Sequence, residues 1–206
     1  MSVNKKKLVI FDFDGVLVDT LQLWHSINGV TNPSMTTEDF AKLSYGNFHE
    51  LSEASSFVPN PNAHNDYHER ITDFDVPIEI QEVIQYFHPT HLLAIVSSGP
   101  EEAIKRSLKK ENLLQYFDDV LGLETHKLKT VKLQILLDKY SLSKNDAVFI
   151  TDTLGDILES NQVDVPVIGV TWGLHEREIL ERGNPIEIID NPAYLQGAIE
   201  KALHLL

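Results

Sequence analysis

A four-residue apolar run, Leu8-Val9-Ile10-Phe11, passes without transition into Asp12-Phe13-Asp14-Gly15. Unbroken apolar sequence suits a strand buried on both faces, as in the middle of a parallel sheet. Asp12 and Asp14 lie two residues apart, so an extended chain points both to one side with Phe13 opposite. At about 4 Å and an effective dielectric near 20, two such carboxylates repel by roughly 4 kcal/mol. A chain that keeps them at the exit of a buried strand calls for a cation between them, and a divalent metal is the natural one. An aspartate held beside such an ion is well placed for phosphoryl chemistry.

Four further short runs rich in β-branched residues or phenylalanine follow, at 92–96, 117–121, 147–150 and 165–170. Helical patterns stand between several of them. The stretch 101–113 carries Ile104, Leu108 and Leu113 on one side, 131–140 carries Leu133, Leu136, Leu137 and Tyr140, and 154–162 carries Ile157 and Leu158. Strands alternating with helices predict an α/β fold, a Rossmann-like parallel sheet with helices on both faces. Residues 21–77 break the rhythm: they hold no convincing buried strand, many polar and aromatic residues, and the turn signals Asn32-Pro33 and Pro59-Asn60-Pro61-Asn62. They are expected to form a small helical insert after the first strand, leaving 1–20 and 78–206 as the α/β core. Near the end, 186–189 reads as an edge strand and 192–205 as a terminal helix.

Composition narrows the partners. The formal net charge of −14 lacks the basic footprint that nucleic acid or an anionic membrane requires. An anionic substrate must then be drawn by a local cation, not by the global field. The chain has no cysteine, which excludes disulfides, thiolate nucleophiles and cysteine metal sites. Lys5, Lys6 and Lys7 precede an apolar stretch, but Asp12 ends it too early for a signal peptide, and no run is long enough to span a bilayer. A cytoplasmic protein acting on a small molecule is the expectation.

In an open parallel sheet, chemistry gathers at the carboxyl ends of the strands. Four clusters fall at such ends or beside them: Asp12 and Asp14; Ser97-Ser98-Gly99; a lysine, Lys127 or Lys129, ahead of a helix; and Thr151-Asp152-Thr153-Leu154-Gly155-Asp156. Each alone has a plain structural reading as a turn, a helix cap or solvated surface. Their joint occurrence in this order resembles the haloacid dehalogenase-like superfamily of phosphohydrolases. Asp12-Phe13-Asp14-Gly15-Val16 matches the first motif of that family, Ser97 the second, and Asp152 with Asp156 the acidic fourth. Gly169-Val170-Thr171-Trp172-Gly173 is similar to a segment of the phosphoglycolate phosphatase-like branch. The chain departs from the family at two points. Thr151 stands where the fourth motif usually has glycine, and no proline follows either candidate lysine of the third motif. Lys129 is favoured because Thr130 follows it as a helix-start residue, with Lys127 as the alternative.

The resemblance implies the roles. Asp12 is the nucleophile, Asp14 the general acid and base, Ser97 and the lysine the groups that hold and neutralise the phosphoryl moiety. Mg²⁺ is held by Asp12, Asp14 and Asp152, with Asp156 as a ligand or an orienting group. Ser98 and Gly99 are expected on the substrate. The insert corresponds to a compact C1-type cap, in which Tyr45-Gly46-Asn47-Phe48-His49 is the candidate specificity segment, with Asn47 and His49 as substrate contacts. Four aspartates against one lysine leave three surplus negative charges. Mg²⁺ removes two, and a protonated Asp14 with a raised pKa removes the third. The leading expectation is a Mg²⁺-dependent phosphatase of a small phosphorylated metabolite. A phosphosugar mutase of the β-phosphoglucomutase type is the alternative, and a catalytically idle binding protein on the same fold a third. A dehalogenase is disfavoured, because those enzymes lack the second aspartate. His64 and His68, four apart, could form a metal face or plain helix surface. Lys105, Arg106, Lys109 and Lys110 read as the exposed side of a helix.

Overall fold

A computed structural model describes residues 5–204. Six strands, β1 (Leu8–Phe11), β2 (Leu92–Val96), β3 (Asp119–Leu121), β4 (Ala147–Thr151), β5 (Val167–Val170) and β6 (Glu187–Ile189), form one sheet in the order β3-β2-β1-β4-β5-β6. All neighbours are parallel, and Phe11 pairs with both Ile95 and Ile150, so the exits of the three central strands are level. From β1 the chain moves outward to β2 and β3 on one side, and β4 restarts on the other. The crevice between those two directions is where an open parallel sheet offers a binding site.

Alternation along the strands divides the core. Val9, Phe11, Leu93, Ile95, Val148 and Ile150 face one layer, which includes residues of α5 (Ile78–Phe87), α6 (Glu101–Lys110) and α10 (Leu195–His204). Leu8, Ile10, Ala94, Val96, Ala147 and Phe149 face the other, covered by Leu133, Leu136 and Leu137 of α7 (Lys129–Tyr140). On the same side, α8 (Leu154–Asn161) and α9 (Arg177–Leu180) pack Ile157 and Leu180 on Val167. The expected α/β architecture with helices on both faces is the observed one.

Some boundaries differ for local reasons. Phe117 closes a 3₁₀ turn at Leu114–Tyr116, so β3 starts only at Asp119. Pro166 has no N–H to give a ladder, and β5 begins after it. The helix expected over 101–113 stops at Lys110, with Asn112 at φ +57°. The terminal helix starts at Leu195, after a 3₁₀ turn at Pro192–Tyr194.

Residues 21–77 contain four helices and no strand among them: α1 (Leu21–Gly29), α2 (Thr37–Lys42), α3 (Phe48–Ala54) and α4 (Ala63–Arg70). Phe40, Leu43 and Phe57 form a small core of their own, against which Leu21, Trp24, Met35 and Phe48 pack. The insert is tied to the sheet domain by polar contacts. Gly155 N–H donates to the Ser44 carbonyl at 2.8 Å, and His175 lies between Leu154 N (2.9 Å) and the Ala41 carbonyl (3.0 Å). The basic side of α6 takes part as well, since Arg106 donates to the His68 carbonyl and Lys110 pairs with Asp75.

Candidate active site

Asp12 leaves the end of β1 almost fully buried and accepts from Phe13 N–H at 2.7 Å through Oδ1. Its other oxygen faces Lys129, the first residue of α7, whose Nζ lies 2.6 Å from Asp12 Oδ2 and 2.6 Å from Asp156 Oδ2. Lys127 points elsewhere: it is exposed and pairs with Glu53 at 3.1 Å. Burial pushes the Asp12 carboxyl well up, against the pull of Lys129. Burial acts the same way on Asp156, but there Lys129 and the Thr151 hydroxyl at 2.6 Å prevail and hold it down. Burial disfavours the charge on Lys129, yet the two carboxylates outweigh it and raise its pKa. The lysine is thus a fixed cation between two acids.

Asp152, directly after β4, is 1% exposed. Its Oδ2 accepts from Leu174 N–H at 2.7 Å, while Oδ1 is buried with no hydrogen-bond partner. Gly15, at φ +75°, and Gly173 make room for this carboxylate; a Cβ on either would come within 1.9 and 2.3 Å of Asp152 Oδ2. The segment Gly169 to Gly173 singled out in the sequence therefore leads into the cradle of Asp152. Burial pushes Asp152 up to about 7. A buried carboxylate oxygen without a donor, close to a second acid, fits a cation better than it fits anything else nearby. Among the described residues no group of three or more His, Asp or Glu side chains forms a ready metal cage. Mg²⁺ asks for less, because it keeps several waters and takes one or two carboxylates. Asp156, expected among the ligands, is engaged through Oδ2 with Lys129 and Thr151 and orients the lysine.

Asp14 has surroundings of another kind. Its Oδ1 accepts from Thr20 Oγ1 (2.6 Å), Tyr67 Oη (2.7 Å) and Trp24 Nε1 (3.1 Å). Tyr67 and Trp24 belong to the insert and stack with ring centroids 4.4 Å apart. The pKa of Asp14 is raised, as the charge count anticipated, but the main cause is removal from water; the three donors work against it. Sequence reasoning did not name Tyr67 or Trp24 as partners of Asp14. Ser97, fully buried after β2, accepts from Gly99 N–H at 2.9 Å and keeps its hydroxyl hydrogen for an acceptor. Beneath it lies Lys132, fully buried, whose Nζ donates to the carbonyls of Ser97 and Gly122. Burial pulls Lys132 down to about 8. Its position three residues after Lys129, beside Leu133 on the apolar side of α7, is the one signal of its burial that the sequence carries.

Asp12, Asp14, Ser97, Lys129, Asp152 and Asp156 share one cavity of about 470 Å³ between the sheet and the insert, with Ser98 and Gly99 on its wall. His49 lines it too. Asn47 does not: it caps α3, accepting from His49 N and Glu50 N, and its amide donates to Glu159 at 2.6 Å. Its expected place on the substrate is taken by a tether between insert and core. His64 lines the cavity, while His68 meets Arg106 through Nδ1, so the two make no metal face.

At the crevice of this parallel sheet a strand-end aspartate thus stands beside a lysine and a second acid. Residues 9–170 match the family model of the haloacid dehalogenase-like hydrolases, and the chain belongs to that family. It is 27% identical to a phosphoglycolate phosphatase of Photobacterium profundum over 127 residues, 60% of this chain and 56% of that protein. It is 22% identical to a phosphoglycolate phosphatase of Synechococcus elongatus over 95% of this chain and 98% of that one. The matched stretch spans about half the length of the first of these relatives. Among solved structures, a haloacid dehalogenase-like family hydrolase from Streptococcus pneumoniae superposes with a TM-score of 0.74 at 16% identity, covering 96% of this chain and 100% of that one. A protein described as a predicted phosphatase, from Clostridium acetobutylicum, gives 0.78 at 20% identity over 95% and 99%. These two likenesses establish the fold.

Proposed function

We propose that this chain is a Mg²⁺-dependent phosphatase of a small phosphorylated metabolite, acting in the cytoplasm through an aspartyl-phosphate on Asp12. The observation that carries the reading is Lys129 fixed between Asp12 and Asp156 in the cavity that also holds the unpartnered oxygen of Asp152. Asp12 attacks phosphorus, and the bond from phosphorus to the ester oxygen breaks. Asp14, whose pKa burial raises, gives a proton to the departing alkoxide. Asp14 then accepts a proton from the water that cleaves the aspartyl-phosphate, and phosphate leaves. Lys129 offsets charge on Asp12 and the transferring group, and the Ser97 hydroxyl donates to a phosphoryl oxygen. Asp12, Asp152 and the Asp14 backbone carbonyl would hold Mg²⁺, which when bound would supply positive charge to offset a dianionic phosphate in a site rich in acids. We divide the chain into a core, 1–20 and 78–206, and a cap, 21–77, which excludes water and selects the leaving group.

Phosphate release from a panel of phosphorylated metabolites, with and without Mg²⁺, tests the proposal. Turnover that needs the metal and vanishes in Asp12→Asn supports it; unchanged turnover in that variant removes the nucleophile. Including β-glucose 1-phosphate separates release of phosphate from conversion to the 6-phosphate, the signature of a mutase.

A further inference from the structure

The insert's share of the cavity wall is mixed: Asn28, Ser44, Ser52, Asn60 and His64 stand on it among apolar residues, and Asn28, Ser52 and Asn60 already donate to the carbonyls of Trp24, His49 and Ile27. Leu21, Trp24, Phe40, Phe48 and Phe57 are the apolar residues, and Leu123 joins them from the core. Ligand pockets are commonly apolar, so that alone decides little. The charges decide more. Of the residues lining the cavity, two are lysines and none is arginine. Lys129 is committed to Asp12 and Asp156. Lys127 pairs with Glu53, so a substrate carboxylate could take it only by leaving Glu53 unpaired on the same wall. Glu159 also lines the cavity, its carboxylate engaged by Asn47 and Thr130. Burial pulls the His49 imidazole down to about 4, so it is neutral at physiological pH and supplies no cation. Its buried Nε2 has no partner and offers a neutral hydrogen-bonding atom.

From this wall we infer that the leaving group is an uncharged, largely apolar alcohol, and that a second anionic group on the substrate is rejected. The inference rests on the phosphatase reading and narrows it. A phosphomonoester whose alcohol carries a carboxylate brings a third negative charge to a cavity whose two lysines are already paired. A sugar brings hydroxyl groups that the phenylalanine rings cannot satisfy and that Asn28, Ser52 and Asn60, engaged with insert carbonyls, meet only by giving up those bonds, which costs desolvation with little return. A hydrocarbon or aromatic body of similar size leaves water for the surfaces of Phe40, Phe48 and Phe57.

The test compares kcat/KM for benzyl phosphate, 2-phosphoglycolate and glucose 6-phosphate, all with Mg²⁺. Benzyl phosphate is chosen over an aryl ester because its alkoxide leaves about as reluctantly as that of a sugar. Benzyl phosphate is expected to lead both others by about 30-fold or more, the order set by burying one aromatic ring. A kcat/KM for 2-phosphoglycolate or glucose 6-phosphate equal to or above that of benzyl phosphate overturns the inference and leaves the phosphatase reading standing. Failure of a folded protein to release phosphate from any of the three overturns both. Glu53→Gln then frees Lys127, and 2-phosphoglycolate is expected to gain about fivefold on benzyl phosphate. An unchanged ratio in that variant contradicts the charge argument.

Discussion

The two halves of the site are held by different physics. The core half, Asp12, Lys129, Asp156 and Asp152, is an ionic cluster in which each buried charge depends on its neighbours. The insert half holds Asp14 with neutral donors, Tyr67 and Trp24, and lines the space beyond it with aromatic rings set among neutral polar groups. Ionic clusters respond strongly when one member is lost, because an unpaired buried charge remains. Neutral donors shift a pKa and a rate without endangering the fold. The difference suggests a division of labour, in which the core keeps the phosphoryl chemistry constant and the insert adjusts the proton transfer and the leaving group.

The largest effect is expected on the core side. Lys129→Met leaves Asp12 and Asp156 facing each other without their cation, and stability at neutral pH should fall by about 3–5 kcal/mol. Part of that loss should return on acidification, as one of the two acids takes a proton, and urea unfolding at two pH values would show it. Equal loss at both would mean that packing, not charge, sustains the lysine. Magnesium probes the same half. Asp152 is pushed up to about 7, above the usual carboxylate value, so without metal its contribution to stability is full at low pH and is lost as pH rises through about 7. The cation favours the ionised form, so the rise in Tm on adding Mg²⁺ should be larger at pH 8 than at pH 5.5. A flat melting temperature across a magnesium titration speaks against the metal.

On the insert side, Tyr67→Phe removes one of the donors that hold the pKa of Asp14 down. That pKa should rise, and because Asp14 must start protonated, the alkaline limb of the rate profile should move to higher pH, with kcat reduced by about tenfold. A limb that stays in place would detach Tyr67 from the proton transfer. The smallest effect belongs to Asn47→Ala. It removes the α3 cap and the bond to Glu159 and should cost about 1 kcal/mol of stability, with kcat and KM nearly unchanged. A large rise in KM alone would restore Asn47 to the substrate.

Legibility in the sequence follows the same division. β1, β2 and β4 were readable because central parallel strands are unbroken apolar runs, and Asp12, Ser97 and Asp152 were readable because they stand at the exits of those runs. Lys129 was readable from its place at the start of a helix. Tyr67 was not, since it meets Asp14 across 53 positions of chain and no periodicity relates the two. Lys132 was hidden by its type, as a lysine is ordinarily assigned to the surface, although its spacing placed it among buried leucines. Asn47 stands directly before a helix, the place of a cap, and its side chain is engaged there and with Glu159.

The central claim is that Asp12 carries the phosphoryl group, and trapping it is the most direct test. The enzyme, quenched with acid during turnover of a labelled phosphomonoester, should yield one labelled peptide, the one containing Asp12, with the label lost in alkali as an acyl phosphate is. Phosphate release with the label on no peptide, or on a peptide that lacks Asp12, would contradict the account.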